Sequence, residues 1–149
     1  MKIRLLVICS LVAIFTGCGT GPKSAAGFRL PDGDSAKGEQ SFLGLGCHGC
    51  HTVEGAELPE PLTVGPVRVA LGGQVTRVKT YGELVSSVIN PSHRIAPSAG
   101  PEGVTEDGES VMRVYNDTMT VQQLIDLVAF LQSHYEVVPP EYIYPRYGY

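Results

Sequence analysis

Two cysteines and a histidine stand close together in the run Cys47-His48-Gly49-Cys50-His51. The thiols lie three positions apart, so one short turn can present both of them to the two vinyl groups of a haem. The histidine after the second cysteine would then lie directly beneath the iron. The run therefore predicts one haem c, bound covalently through Cys47 and Cys50, with His51 as the proximal ligand.

The same cysteines have three other interpretations: a redox pair, half of a zinc site, or a chance occurrence. A thioredoxin-like pair needs a β-α-β context, which the flanking sequence lacks. Zinc needs two further ligands in a second short cluster, and His93 and His134 lie far apart with no cysteine beside either. The sequence therefore favours haem. His48 occupies a spacer position of the motif and is expected to be exposed, with no role as a ligand.

Two methionines beyond the first 17 residues, Met112 and Met119, are candidates for the sixth ligand of the iron. Thr120 starts a Thr-x-x-Gln pattern that predicts the capped beginning of a helix, and Met119 precedes this cap. There its side chain can pack on Leu124 as a hydrophobic staple, which commits it to the core. Met112 is therefore the favoured ligand, with Met119, His93 or an open position as alternatives.

Three amphipathic segments are predicted to form the helices that position these side chains. The first covers residues 36–45, just ahead of the haem motif. The second begins at Thr80, where a Thr-x-x-Glu pattern makes a capping box, and ends before Pro91, because proline disfavours helical backbone at the preceding residue. The third follows the second capping pattern and ends near His134. Residues 92–111 show no apolar period and are predicted to form a long functional loop.

The N-terminus has the pattern of an export signal. Lys2 and Arg4 precede an apolar run over residues 5–15 that is too short to span a bilayer. Small residues then lead to Cys18, which resembles the lipobox cysteine that is acylated in bacterial lipoproteins. An uncleaved anchor, or a signal cut elsewhere, is the alternative. In either case the chain leaves the cytoplasm, and the lipoprotein interpretation places it on the periplasmic face of the inner or outer membrane.

The chain is predicted to have four parts. Residues 1–17 form the lipoprotein signal, and residues 18–33, rich in Gly, Pro, Ser and Ala, form a flexible tether. Residues 34–135 form one globular domain. Residues 136–149 form a Tyr/Pro-rich tail, which is extended on the domain surface or free.

Composition and charge narrow the class of partner. The 149 residues are 43% hydrophobic and 17% charged, as in ordinary globular proteins. Removal of residues 1–17 takes away two basic residues and no acid, which leaves 9 basic against 15 acidic residues and a formal charge of −6. This balance argues against nucleic acid as a partner.

Over about residues 34–135 the chain resembles the class I cytochrome c family. Besides the haem motif, the shared features are single residues and pairs at family positions: Gly38, Phe42, Gly65-Pro66, Asn90-Pro91, Met112 and Phe130-Leu131. The resemblance implies a small all-α fold with its helices packed around one covalently bound haem. It also implies that the first and last helices cross at Gly38, with Phe42 and Phe130 packed at the contact.

Further site residues are suggested by the same resemblance. The Pro66 carbonyl would accept a hydrogen bond from the ring of His51, and Met112 lies about as far before the last helix as the ligand methionine of the family. By proximity alone, Tyr115 and Asn116 could reach the sulfur of Met112 or line its side of the haem.

The resemblance implies an electron carrier rather than an enzyme, because a histidine and a methionine together leave the iron no position for a substrate. Arg77, Tyr81 and Arg94 flank the second helix and are candidates to bind the haem propionates. The expected partners are redox proteins and, through the lipid, a membrane. The alternatives are a haem c subunit of a larger exported oxidoreductase and a haem-based ligand sensor with a weak or absent sixth ligand.

Overall fold

The structure of the chain, a computed structural model, describes residues 27–138, so the predicted signal, Cys18 and residues 139–149 of the predicted tail lie outside the described residues. The described part contains three α-helices: α1 over Ser35–Gly44, α2 over Tyr81–Ile89 and α3 over Val121–Ser133. Each begins at a side-chain cap, supplied by Asp34, by Thr80 with Glu83, and by Thr120 with Gln123. The three predicted helices are thereby confirmed.

Helices α1 and α3 cross at a glycine. A Cβ atom at Gly38 would overlap the backbone carbonyl of Asp126 and would lie 2.6 Å from the Cβ of Phe130, so only glycine allows this close approach. Phe42 lies one turn further along α1 and packs on Phe130, with the ring centroids 5.6 Å apart and each residue 1% exposed. The contact that the family resemblance implied is confirmed.

A buried carboxylate reinforces this crossing. Asp126 is 4% exposed, and its Oδ1 accepts hydrogen bonds from the Asp34 backbone N–H and the Gln122 side-chain amide, both at 2.9 Å. A buried carboxylate without such donors would be strongly unfavourable. Because Asp34 is also the cap of α1, these bonds connect the start of α1 to the middle of α3.

Within residues 27–138, four strands of three residues accompany the helices: β1 His51–Val53, β2 Val69–Leu71, β3 Gly73–Val75 and β4 Tyr135–Val137. β1 pairs in parallel with β2, and β3 pairs in parallel with β4. No strands were predicted from the sequence, because three residues are too few to show a two-residue alternation of apolar side chains. The fold is mainly helical, as predicted, with two small sheets added.

Residues on both sides of the predicted domain, 34–135, make contacts with it. Residues 28–33 were predicted to belong to a flexible tether, yet Leu30 packs against the core and the Tyr81 hydroxyl donates a hydrogen bond of 3.0 Å to the Phe28 carbonyl. At the other end, β4 continues to Val137, two residues into the predicted tail.

The apolar core lies between the three helices. Its buried members are contributed by α1, β1, α2 and α3: Phe42, Val53, Leu84, Val85, Val88, Leu127, Val128, Phe130 and Leu131. The predicted loop over residues 92–111 contains only short 3-10 turns and one isolated antiparallel bridge between Val104 and Ser110, as expected. Within residues 27–138, no helix is both long and apolar enough to cross a membrane.

Candidate functional site

The turn that carries the two cysteines follows α1 directly. Gly46 has a φ of 73°, a left-handed conformation that glycine adopts without strain, and it leads the chain into a 3-10 helix over Cys47–Gly49. The side chain of Arg68 donates a hydrogen bond of 3.0 Å to the carbonyl of His48. The segment between β1 and β2 therefore packs on the turn and holds it in place.

Both cysteines line a cavity of about 510 Å³ that all three helices enclose. Its volume lies within the range of about 300–1,000 Å³ that is usual for cofactor sites. His51, Met112 and Met119 line the same cavity. Most of the helical lining is apolar, from Phe42, Leu84, Val88, Leu127 and Leu131, and α2 adds the polar residues Glu83 and Ser87. A haem c requires two thiols, an imidazole and an apolar enclosure, and this cavity provides them together.

The ring of His51 is oriented by a backbone carbonyl. His51 is the first residue of β1 and lies opposite Val69 of β2, so that its Nδ1 lies 3.3 Å from the Val69 carbonyl oxygen. Since a carbonyl only accepts, Nδ1 carries the proton in this hydrogen bond, and Nε2 is left free to bind a metal. The sequence predicted the Pro66 carbonyl at this place, whereas the structure has the Val69 carbonyl there, because the pairing of β1 with β2 brings Val69 beside the ring.

Burial affects the protonation of both kinds of haem-binding side chain. Desolvation lowers the pKa of His51, although the hydrogen bond to Val69 acts in the opposite direction, so the neutral ring that an iron ligand needs is favoured. Desolvation raises the pKa of Cys47 to about 11, so this thiol is uncharged at neutral pH. A thioether is also uncharged, and its formation therefore suits the apolar surroundings of Cys47.

The two methionines both reach the cavity but are held differently. Met119 packs against the helical core, as does Leu124, and its backbone N–H donates a hydrogen bond of 2.8 Å to the Tyr115 carbonyl. Met112 lies on the segment before it, where its backbone N–H donates a hydrogen bond of 3.2 Å to the Ser110 hydroxyl. The expected commitment of Met119 to the core is therefore present, and Met112 lines the cavity from an irregular segment.

Arg77 and Tyr81, which were predicted from the sequence to bind the propionates, do not line this cavity. The Arg77 guanidinium lies 2.9 Å from a carboxylate oxygen of Glu83, and the Tyr81 hydroxyl donates to the Phe28 carbonyl instead. Glu83 attracts Arg77 because its carboxylate already caps α2 and stays ionised: a hydrogen bond from the Thr80 backbone N–H lowers the pKa of Glu83, and the neighbouring arginines lower it further.

Three cationic side chains do line the cavity: Lys79, Arg94 and Arg113. Of these, Arg94 was a propionate candidate from the sequence, and it also contacts Glu83 at 3.1 Å. Lys79 and Arg113 were missed. Lys79 immediately precedes the cap of α2, and Arg113 immediately follows Met112. Their positions beside predicted elements were the feature of the sequence that could have identified them.

The remaining histidines have other environments. His93 is exposed and does not line the cavity. The Nδ1 of His134 lies 2.8 Å from the Phe130 carbonyl. His48 is half-buried rather than exposed as predicted, because the segment around Arg68 covers the turn, and its Nδ1 is buried without a hydrogen-bond partner among the described residues. Within residues 27–138, no three His, Cys, Asp or Glu side chains are grouped so that they could hold a metal ion.

The two residues expected beside the Met112 sulfur make hydrogen bonds elsewhere. Tyr115 lines the cavity, but its hydroxyl donates a hydrogen bond of 3.0 Å to the Leu45 carbonyl. The side-chain amide of Asn116 donates a hydrogen bond of 2.9 Å to the Ile89 carbonyl. Both side chains therefore fasten the segment to the ends of helices.

Comparison with known proteins gives one match. The family model described as Cytochrome c matches residues 35–134, a stretch that includes all three helices, the Cys-x-x-Cys-His motif and both candidate methionines. None of the curated proteins and none of the solved structures in the comparisons matches the chain.

Proposed function

The chain belongs to the cytochrome c family, and on this basis we propose that it is a monohaem electron carrier whose iron is ligated by His51 and Met112. Haem c, bound covalently through Cys47 and Cys50, supplies the iron that takes up and releases one electron. The observation that carries the proposal is that the two cysteines, His51 and a thioether all border one mainly apolar cavity.

His51 acts as the proximal ligand through Nε2. Its Nδ1–H donates to the Val69 carbonyl, which fixes the tautomer and the orientation of the ring. Burial favours its neutral form, so the ring needs no deprotonation before it binds the metal.

Met112 acts as the sixth ligand. Its uncharged thioether favours a higher reduction potential than a second histidine would. Met119 packs on the core immediately before the cap of α3, which supports Met112 over Met119. With both axial positions filled by side chains, the site has no position for a substrate, so the chain transfers electrons without itself being an enzyme.

The cationic side chains that line the cavity are the groups that would bind the two haem propionates. Lys79, Arg94 and Arg113 come from three different parts of the chain and border the same space. Ionised propionates are stabilised by such donors through charge-assisted hydrogen bonds. Arg94 is also held by Glu83, which limits the orientations of its side chain before a propionate binds.

The site is presented on the periplasmic face of a bacterial membrane. The charged start of the chain, its short apolar run and the small residues before Cys18 support export and acylation of Cys18. The segment between Cys18 and the first packed residues near Phe28 is then the tether. Its partners are then other redox proteins, with which it exchanges electrons. The formal charge of −6 favours partners with a positively charged docking surface.

The proposal is tested by optical spectroscopy and redox titration of the exported, haem-loaded protein. The wild type should carry one haem that acid–organic extraction does not remove, and its ferric form should show the ligand-to-metal band of methionine ligation. Met112→Ala should abolish that band and lower the potential. Met119→Leu is the matched control: it keeps the band and the potential, and costs at most about 1.5 kcal/mol of stability as a volume-conserving change. If Met119→Leu loses the band and Met112→Ala keeps it, the ligand assignment is wrong.

A further inference from the structure

The segment that carries Met112 is fastened to two other parts of the domain. Before Met112, the Ser110 N–H donates a hydrogen bond of 3.0 Å to the Ser92 hydroxyl, just beyond α2. After it, Asn116 donates to the Ile89 carbonyl at the end of α2, and the Tyr115 hydroxyl donates to the carbonyl of Leu45. Of these three hydrogen bonds, the one from Tyr115 connects the segment to the end of α1, and the other two connect it to the end of α2.

Leu45 occupies a special position. It caps the C-terminus of α1 and is separated from Cys47 only by Gly46. The last carbonyls of a helix have no partner within the helix and accept hydrogen bonds from elsewhere. The 3.0 Å hydrogen bond from Tyr115 therefore joins the segment that carries Met112 to the residues just before the turn with Cys47 and Cys50. The two bonded residues lie 70 positions apart in the chain.

Two further features keep Tyr115 in this position. Tyr115 is half-buried and lines the cavity. The Arg113 guanidinium lies over the ring of Tyr115, 5.3 Å from the ring centroid, in a cation–π contact. Burial also raises the pKa of Tyr115, so its hydroxyl remains protonated and available as a donor. The bond from Asn116, in contrast, is exposed to solvent and contributes less.

We propose that Tyr115 is a positioning residue that holds the Met112 segment closed over the haem cavity through its hydrogen bond to Leu45. The inference rests on the proposed ligation by Met112. Three residues of chain span at most about 11 Å, so fixing Tyr115 restricts where Met112 can move. Loss of the hydrogen bond therefore makes dissociation of Met112 from the iron easier while both axial side chains remain unchanged.

The test is a titration of the ferric, haem-loaded protein with imidazole, which competes with Met112 for the iron. Tyr115→Phe keeps the ring and its contact with Arg113 but removes the donor. Its imidazole affinity should rise about two- to twelve-fold, the range that corresponds to the net contribution of one hydrogen bond. Asn116→Ala should give a smaller rise, because its bond is exposed.

Tyr81→Phe is a matched control. The Tyr81 hydroxyl also donates a 3.0 Å hydrogen bond to a backbone carbonyl, that of Phe28, but the residue lies outside the cavity lining. Tyr81→Phe should leave imidazole affinity at the wild-type value. If Tyr115→Phe binds imidazole no more tightly than the wild type, or if Tyr81→Phe gives the same rise, the positioning role is refuted.

The methionine band separates failure of this inference from failure of the proposed ligation. If Met112→Ala loses the band and Tyr115→Phe binds imidazole as the wild type does, Met112 is the ligand and Tyr115 does not position it. If the band survives in Met112→Ala, the proposed ligation is wrong, and the role of Tyr115 toward Met112 is refuted with it.

Discussion

Replacement of Gly38 by alanine tests whether the close crossing of α1 and α3 stabilises the domain. The new Cβ would overlap the Asp126 carbonyl and approach the Phe130 Cβ to 2.6 Å, and side-chain rotation can move neither of these atoms away. Overpacking costs about 1–3 kcal/mol, whereas alanine is better than glycine within a helix by about 1 kcal/mol. Because both clashing atoms are fixed to helix α3, we expect the upper end of the cost and a net loss of about 2 kcal/mol.

Urea unfolding of the haem-loaded protein, followed by circular dichroism, measures this loss as a lower midpoint with an unchanged slope. Gly44→Ala is the matched control, since Gly44 also lies in α1 but a Cβ there would meet nothing within 4 Å. It should leave stability unchanged or raise it by up to about 1 kcal/mol. A Gly38→Ala variant as stable as the wild type, or an equal loss in Gly44→Ala, would refute the reasoning.

Three further predictions concern the haem and the membrane. Cys47→Ser or Cys50→Ser should lower covalent haem content, because each thiol forms one thioether bond; full covalent attachment in the double variant, measured by haem staining after denaturing electrophoresis, would contradict the attachment assignment. Cys18→Ser should release the protein from membranes without changing its spectrum, and a variant still bound after salt and carbonate washing would point to another anchor. Arg94→Gln should lower the reduction potential by on the order of 20 mV, the scale of one screened charge, because a cation near the haem favours the reduced form. Arg77→Gln is the control, because Arg77 is the other partner of Glu83 but does not line the cavity. A redox titration of this variant should show the wild-type potential. An equal fall in potential in both variants would argue against a cavity role for Arg94.

The elements that the sequence predicted well are those whose causes are local or are shared with a family. Thr80 and Thr120 each meet a glutamate or glutamine three residues later, and a capping box needs nothing else. The haem motif is likewise contained in five consecutive residues. The crossing at Gly38 was implied by the family resemblance, and the structure shows why this position accepts no side chain.

The contacts that the sequence did not predict join residues far apart in the chain. Val69 replaces Pro66 as the partner of His51 because two three-residue strands pair, and such short strands leave no pattern in the sequence. Arg77 lies near the second helix as predicted and pairs with Glu83, but its own side chain does not line the cavity. Competition between several possible partners for one charged side chain depends on tertiary geometry, which composition and spacing do not encode.

The two sides of the proposed haem site differ in what holds the ligand. On the histidine side, His51 begins β1, and its backbone environment is fixed by the pairing with β2, with hydrogen bonds of 2.8 Å from Val69 N–H to the Cys50 carbonyl and 2.9 Å from Glu54 N–H to the Leu71 carbonyl. On the methionine side, the Val111 N–H donates a backbone hydrogen bond of 3.1 Å to the Gly103 carbonyl, but the bonds to the ends of α1 and α2, from Ser110, Tyr115 and Asn116, all involve side chains, and the last is exposed. Local opening favours regions held by few and solvent-exposed contacts. If His51 and Met112 hold the iron as proposed, Met112 should therefore be the ligand that leaves it first when the domain is stressed, and the covalent bonds at Cys47 and Cys50 would keep the haem in place.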